Sequence, residues 1–587
     1  MLIPVLLPGG AGSLSGLLFF PDGPQLADRW VVHVPAFAEE MNKSRRMVAE
    51  QARALASLGL VVVVPDLSGT GDSPGDFSEA DWAAWKADLR AVIAWCGAQG
   101  AGYVSLWGLR LGGLLALDVS GKDCAGVDHL LLWQPVTNAK QALTQFLRLR
   151  MAAGMIGDGE KESVADLRRR LDAGEMLEVA GYGLSPELYT QLAPLSFAAF
   201  DAPVGLRIDW FEVMADPGRA LPVPVQRIVA SWSTAGVSLE MTPVQGDPFW
   251  TTQEIAMAPG LIARSLAAMR GLDGPAECID RDALIARLAP GPASHSGDPS
   301  GEPSLVFSCA GEELVAVLHR TDVSARKGVL LVVGGPQYRV GSHRQFLLLA
   351  RALAAAGIPV LRFDYRGMGD SSGQQRTFEV VEEDIRAAID AFQQQLPGLE
   401  EIVIWALCDA ASAACFYAHK DARVSGLILL NPWVRSEAGI ARAYLRHYYL
   451  QRLFDPEMWA KIRRGEFAFG ASLRSFFSML GSARGAGRQA ESGPREDPMA
   501  VSPAAPLAER VRLGLEQFSG RVLLILSGHD LTADEFRDTL KASRPFRKLV
   551  AGDRFTRRDL EAADHTFSRA AWRDEVARWS REWLGSW

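Results

Sequence analysis

Ile402-Val-Ile-Trp-Ala-Leu-Cys-Asp-Ala-Ala-Ser412 is the stretch that decides the fold. Its first four residues read as a short buried strand, and from Ala410 the chain runs into an apolar helical pattern. Between them stands Cys408, with small residues two positions before and after it, Ala406 and Ala410. A strand that turns sharply into a helix needs small flanks, because helix packs on strand and the apex residue is strained. A nucleophile at such an apex sits at a helix N-terminus, which favours the thiolate. Cys408 is therefore the candidate nucleophile, although most cysteines are simply buried and inert.

Two later stretches supply partners in the chain order nucleophile, acid, base. After a strand expected at Arg521–Leu526 comes Ser527-Gly-His-Asp-Leu531, which puts Asp530 where an acid belongs. Asp534 is its rival, and either aspartate is also a reasonable helix N-cap. Ala563-Asp-His-Thr-Phe567 then places His565 just before the last helical pattern. In this reading His565 takes the thiol proton, and Asp530 orients the imidazole and stabilises its cation. The oxyanion is expected on the N–H of Asp409 and on a donor from Gly334-Gly-Pro-Gln337. Pro336 has no N–H, so Gly335 or Gln337 must be that donor. The same arrangement predicts a cysteine partly ionised at neutral pH.

The chain repeats itself at an offset of 298 residues. Asp66-Leu-Ser-Gly-Thr-Gly-Asp-Ser73 returns as Asp364-Tyr-Arg-Gly-Met-Gly-Asp-Ser371, and Ala52-Arg-Ala-Leu55 as Ala350-Arg-Ala-Leu353. The offset carries Cys408 onto Arg110, inside Gly108-Leu-Arg-Leu-Gly112, and the stretch just before the first copy's last helix, Gln245-Gly-Asp-Pro-Phe-Trp250, has no histidine. A guanidinium cannot act as nucleophile, so the first copy is expected to lack a triad. Arg110 either clamps an anion or pairs with Glu39 or Glu40, which stand where the second copy has its oxyanion loop. Contact with one of the two glutamates is the expectation.

Each copy alternates strand and helix patterns, which predicts α/β architecture: two tandem α/β-hydrolase domains, each a mainly parallel sheet flanked by helices. Strands are expected near 30–34, 61–65, 103–107, 128–133 and 226–230, and in the second copy near 314–319, 329–333, 359–364, 402–405, 426–430 and 521–526. Lid insertions are expected after strand six, over 136–220 and 433–516. The second carries Tyr444, Tyr448, Tyr449, Phe454, Trp459, Phe476 and Phe477. Domain limits are placed at 1–275 and 304–587, with 276–303 as linker, most flexible in Pro290–Pro303.

Net charge −8 and a pI near 5.7 leave no electrostatic footprint for nucleic acid, and Lys and Arg are too dispersed for a polybasic membrane anchor. Apolar runs fall short of membrane-spanning length. The N-terminal stretch has no basic leader, and Pro4 and Pro8 interrupt it. The six cysteines form no CxxC pair, so reduced thiols, no metal site, no cofactor and a cytoplasmic location are expected.

Several long strings resemble the two hydrolase families associated with the exosortase A system of bacterial exopolysaccharide loci. His33-Val-Pro-Ala-Phe-Ala-Glu-Glu-Met-Asn-Lys-Ser-Arg-Arg46, Gly108-Leu-Arg-Leu-Gly112 and Pro248-Phe-Trp250 are similar to the second of these families. Gly334-Gly-Pro-Gln-Tyr-Arg339, Arg362-Phe-Asp-Tyr-Arg-Gly-Met-Gly-Asp-Ser371 and Leu407-Cys-Asp-Ala-Ala-Ser412 are similar to the first. The resemblance implies a bacterial cytoplasmic protein encoded beside exopolysaccharide genes, in neighbourhoods that also hold an acyl carrier protein. Hydrolysis of a carboxylic ester or thioester through an S-acyl cysteine is the leading expectation. Acyl transfer to a sugar or carrier, and a non-catalytic scaffold, are the alternatives. The expected partner is a small-molecule or carrier-bound acyl substrate.

Overall fold

The computed structural model describes every residue except 122–125, 157–161, 253, 273–278, 289–301, 322–323, 336 and 435–504. The first half builds a sheet of eight strands: β1 (Leu2–Pro8), β2 (Ser13–Phe19), β3 (Arg29–Val34), β4 (Val61–Pro65), β5 (Tyr103–Leu109), β6 (Val127–Trp133), β7 (Arg207–Met214) and β8 (Ser238–Gln245). They lie in the order β1-β2-β4-β3-β5-β6-β7-β8. Only the pairings of β2 with β1 and β4 are antiparallel. The second half repeats this with β9 (Ser304–Cys309), β10 (Glu312–His319), β11 (Lys327–Val332), β12 (Val360–Phe363), β13 (Glu401–Leu407), β14 (Val424–Leu430), β15 (Arg521–His529) and β16 (Phe555–Asp564). Their order is β9-β10-β12-β11-β13-β14-β15-β16, so both halves share one topology, the α/β-hydrolase fold. Central strands are buried on both faces, as in Val61–Val64 and in Val329, Leu330 and Leu331, which a parallel sheet between helices requires.

The structure corrects two readings of the first half. Residues 226–230 are helical, within Val223–Thr234, because Pro222 and Pro224 suit a helix start and Val225, Ile228 and Trp232 form one buried face. The seventh strand is instead Arg207–Met214, so the insertion after β6 ends before 207 rather than at 220. Its charges are hidden by pairing: Asp209 meets His129 at 2.8 Å, and Glu212 accepts from Trp210 Nε1 at 2.9 Å. The insertion carries helices and the hairpin Leu177–Val179/Tyr182–Leu184. Within the segment 276–303, Ile279–Asp280 pairs with Gln25–Leu26, and a helix follows at Arg281–Leu288 with Leu284 buried. That stretch packs on the first half and is not free linker. Most of Pro290–Pro303, and the aromatic residues of the second lid, lie outside the described residues.

The two halves meet around a pseudo-twofold relation that the repeat offset makes explicit. Helix α1 (Glu39–Ala56) sends Arg46 to the carbonyls of Ser371 and Gly373, both at 2.6 Å. Arg344, its counterpart, reaches the equivalent carbonyls of Ser73 and Gly75 at 2.5 and 2.8 Å, and those of Gly69 and Gly71 at 3.0 Å. Each receiving loop is wound around its own aspartate. Asp66 accepts from Asp72 N, and Asp364 from Asp370 N. Gly71 and Gly369 pass so close to these carboxylates that a Cβ would lie 2.1 and 2.4 Å from them, which accounts for the repeated Gly-x-Gly.

Between the loops lies a buried charge cluster. Arg45 bridges Asp66 and Asp370 at 2.8 and 2.7 Å. Arg339 meets Asp72, Asp364 and Asp370 at 2.8, 2.7 and 2.6 Å, and Arg362 meets Asp72 at 2.9 Å. Burial alone would raise all four carboxyls. Arg339 and Arg362 outweigh it at Asp72, and Arg45 and Arg339 at Asp370, so both are held below the usual carboxylate range. At Asp66 and Asp364 burial prevails and both are pushed up. A cluster of this kind adds little net stability over an apolar contact but is costly to break, because a lone buried charge remains. Arg344→Ala strips four carbonyls, three of them buried, of one charged donor. It is expected to lower the unfolding free energy by about 3 kcal/mol or more in urea melts; a loss under about 1 kcal/mol would show that the seam contributes little.

Candidate active site

The turn after β13 places Cys408 at φ 63°, ψ −125°, and the turn after β5 places Arg110 at φ 56°, ψ −117°. Both are the strained apex of a strand-to-helix elbow, and alanine at 406 supports it as well as glycine at 108. Cys408 N donates to Leu430 O and its carbonyl accepts from Trp433 N, which ties the apex to the end of β14. Helix α2 (Asp409–Tyr417) begins immediately after it.

The structure brings Asp530, His565 and Cys408 together. His565 Nδ1 lies 3.0 Å from Asp530 Oδ2, and the same imidazole faces the Cys408 thiol. Asp530 also caps the helix Leu531–Ala542, accepting from Thr532 N at 3.1 Å and Ala533 N at 3.0 Å. One side chain thus caps the helix and faces the histidine. Asp534 turns instead to Arg537 at 3.2 Å. Burial opposes charge on His565, but Asp530 and Cys408 outweigh it and raise its pKa to about 10. Burial also pushes the Cys408 thiol up, more than His565 pulls it down. Burial thus works against the partly ionised cysteine expected at neutral pH, while Asp530 and Cys408 make His565 a stronger base for the thiol proton.

Sequence reasoning missed Asn431, which follows β14 at φ 43°. Its Nδ2 donates to Ser527 Oγ at 2.9 Å and to His565 O at 3.0 Å, and its Oδ1 accepts from Ser527 N at 2.9 Å. It fixes the backbone of the histidine loop against β15. An asparagine directly after an apolar strand, where positive φ is tolerated, was the available signal.

The expected oxyanion donors are arranged otherwise than the sequence suggested. Gly335 N–H donates to the Asp409 carboxylate, 3.0 Å from Oδ1 and 3.2 Å from Oδ2. The Gln337 side chain leaves the cleft for the other half, donating from Nε2 to Glu39 Oε1 at 2.9 Å. Gln337 and Glu39 are counterparts in the repeat, so this bond crosses the pseudo-twofold axis. Glu39 also accepts from Tyr182 OH at 3.1 Å and Asn42 Nδ2 at 3.2 Å, and burial raises its carboxyl.

In the first half Arg110 meets Glu40 rather than Glu39: Nε and Nη2 both reach Glu40 Oε1, at 3.1 and 3.0 Å. Nη1 donates to Gln134 O at 3.2 Å, and the guanidinium lies 5.1 Å from the Trp250 ring centre. The histidines of this half serve the core. His129 bridges Ser105 and Asp209, and His33 packs on Trp107.

Residues 325–461 match the family described as serine aminopeptidase, S33. Cys408 lies within the matched residues, in a family named for serine. No curated protein matches the chain. Solved structures similar to it include an esterase of Pyrococcus furiosus, at 14% identity over 51% of this chain and 95% of that one, TM-score 0.35. Another is VinJ, at 16% over 48% and 98%, TM-score 0.31. A third is Est1E from Butyrivibrio proteoclasticus, at 14% over 48% and 97%, TM-score 0.29. Among the described residues no helix is long and apolar enough to cross a membrane, no cluster could hold a metal ion, and Cys96, Cys309, Cys408 and Cys415 are free thiols.

Burial raises the thiols of Cys96 and Cys415 much further than that of Cys408, which is only half-buried and alone faces a histidine. Iodoacetamide should alkylate Cys408 before Cys96, Cys309 and Cys415. Because its folded pKa is raised, the rate should climb through the alkaline range instead of levelling off at neutral pH, read by peptide mass mapping. A neutral-pH plateau would restore the ionised pair.

Proposed function

We propose that the second half is a cysteine hydrolase of carboxylic esters or thioesters, with Cys408 as nucleophile, His565 as base and Asp530 as its orienting acid. The observation that carries the reading is the imidazole of His565 set between Asp530 and a thiol held at a strained elbow. In the first step the thiol proton passes to His565 as sulfur attacks the acyl carbon. The tetrahedral intermediate then expels the alcohol or thiol, which takes that proton, and leaves an S-acyl enzyme. Water, activated by the now neutral His565, attacks the thioester and releases the acid. The N–H of Asp409 is one donor to the oxyanion, and a loop N–H of Gly335 or Gln337 is the other.

The first half is proposed to be non-catalytic, its elbow filled by the Arg110–Glu40 pair. The resemblance to exosortase-associated families favours an exopolysaccharide-linked pathway in a bacterial cytoplasm, with an acyl group delivered as a small molecule or on an acyl carrier protein. A thioester suits this site well, because exchange between two sulfurs needs little help to expel the leaving group.

Turnover of an ester and thioester panel tests the assignment. Cys408→Ala and His565→Ala should each lose about 10³-fold or more in kcat. Arg110→Ala in the same assay should keep kcat within a few-fold of the parent while its Tm falls. Near-parental rates in either of the first two variants, or loss of turnover in the third with the fold intact, would overturn the division of labour.

A further inference from the structure

The Asp409 carboxylate occupies the place where an oxyanion hole would be expected to accept substrate. Its Oδ1 accepts from Gly335 N at 3.0 Å and from Ala410 N at 2.9 Å. A side chain on Gly334 would collide with it, since a Cβ there would come within 2.0 Å of Oδ1. The loop is thus shaped to admit this carboxylate, and the loop donor nearest the elbow is spent on it. Asp409 immediately follows the nucleophile, so its own N–H is the other donor to the same spot. Among the described residues the charge has no cationic partner in contact. The ionisable groups that act on it are Cys408 at the elbow, Tyr365 after β12, and Glu254 from the first half. Burial and Glu254 work to raise the Asp409 carboxyl, against the three backbone N–H groups that favour its charge.

We propose that the Asp409 side chain is a built-in plug of the oxyanion hole, which must leave the Gly335 N–H or lose its charge before an acyl group can react with Cys408. This rests on the reading of Cys408 as nucleophile. A carboxylate and a developing oxyanion cannot share one donor at short range, since like charges in a desolvated pocket repel strongly. The plug therefore suppresses acylation until substrate binding displaces it. That provides selection: an acyl donor with enough binding surface outside the elbow can drive the displacement, whereas a small activated ester cannot.

The alternative role for Asp409 is a staple joining the elbow to the loop 334–337, and asparagine separates the two. Its amide oxygen can accept from Gly335 and Ala410 as the carboxylate does, so it preserves a staple while removing the charge. The test measures the rate of Cys408 acylation by a medium-chain acyl thioester, with acid quench and intact mass, in the wild type, Asp409→Asn and Asp409→Ala. A plug predicts that Asp409→Asn acylates about 10-fold faster or more at pH 8. The advantage should shrink as pH falls and the wild-type carboxyl takes up its proton. Acylation in Asp409→Asn alone, with an inert wild type, would support the plug in its strongest form. Equal rates for wild type and Asp409→Asn at every pH, or slower acylation in both variants, would overturn the plug and leave the staple. If no form is acylated, the nucleophile assignment falls and the plug with it, a result distinct from the other failures.

Discussion

The buried meeting of Arg45, Arg339 and Arg362 with Asp66, Asp72, Asp364 and Asp370 is the constraint on which the rest of the molecule depends. These charges come from both halves, and the first half, with Arg45 set against Asp66 and Asp72, cannot neutralise its own share. Asp72 of the first half is satisfied by Arg339 and Arg362 of the second, and Asp370 of the second is met in part by Arg45 of the first. Separation would expose or strand charges that cost several kcal/mol each to leave unpaired in a dry environment. The symmetric reach of Arg46 and Arg344 has the form of an isologous contact, in which one patch binds its own copy. Here the two copies are fused in one chain.

The seam runs straight into the candidate site. Arg339 and Gln337 lie on the loop that follows β11, the loop expected to help hold an oxyanion. One side chain is locked into the charge cluster and the other is bonded to Glu39. Asn42 adds a hydrogen bond to Gly341 O at 3.0 Å, and Glu178 of the first lid caps the last helix, accepting from Ala570 N at 2.6 Å. The first half thus holds the loop and the helix that frame Cys408 and His565 of the second. Rigid support from outside is what a reacting constellation needs if its atoms are to stay within a fraction of an ångström of working geometry.

The elbow, its partners and the duplicated sheet were legible because each is written locally. Small residues flank Cys408, turn chemistry surrounds Asp530 and His565, and the repeat holds one offset across strand ends and loops. Arg110 was legible down to its choice between two glutamates, of which Glu40 wins because α1 turns Glu39 toward the other half. What escaped was set by tertiary context. The strand Arg207–Met214 hides its alternation behind buried, paired charges, and 226–230 carries strand-forming residues on a helix that its prolines start. The role of Asp409 depends on where its carboxylate points, and that of Asn431 on a loop distant in sequence. The ionisation of Cys408 is a balance between burial and a helix terminus, and spacing alone cannot weigh it.

The central claim is that a chain with two hydrolase folds has one reacting centre. Its most direct test is the stoichiometry and position of acylation when the full protein meets excess acyl thioester and is quenched in acid. The account predicts one acyl group per 63.6 kDa chain, mapped by tandem mass spectrometry to Cys408. A second acyl group on the first half, or a single one on any residue other than Cys408, would contradict it.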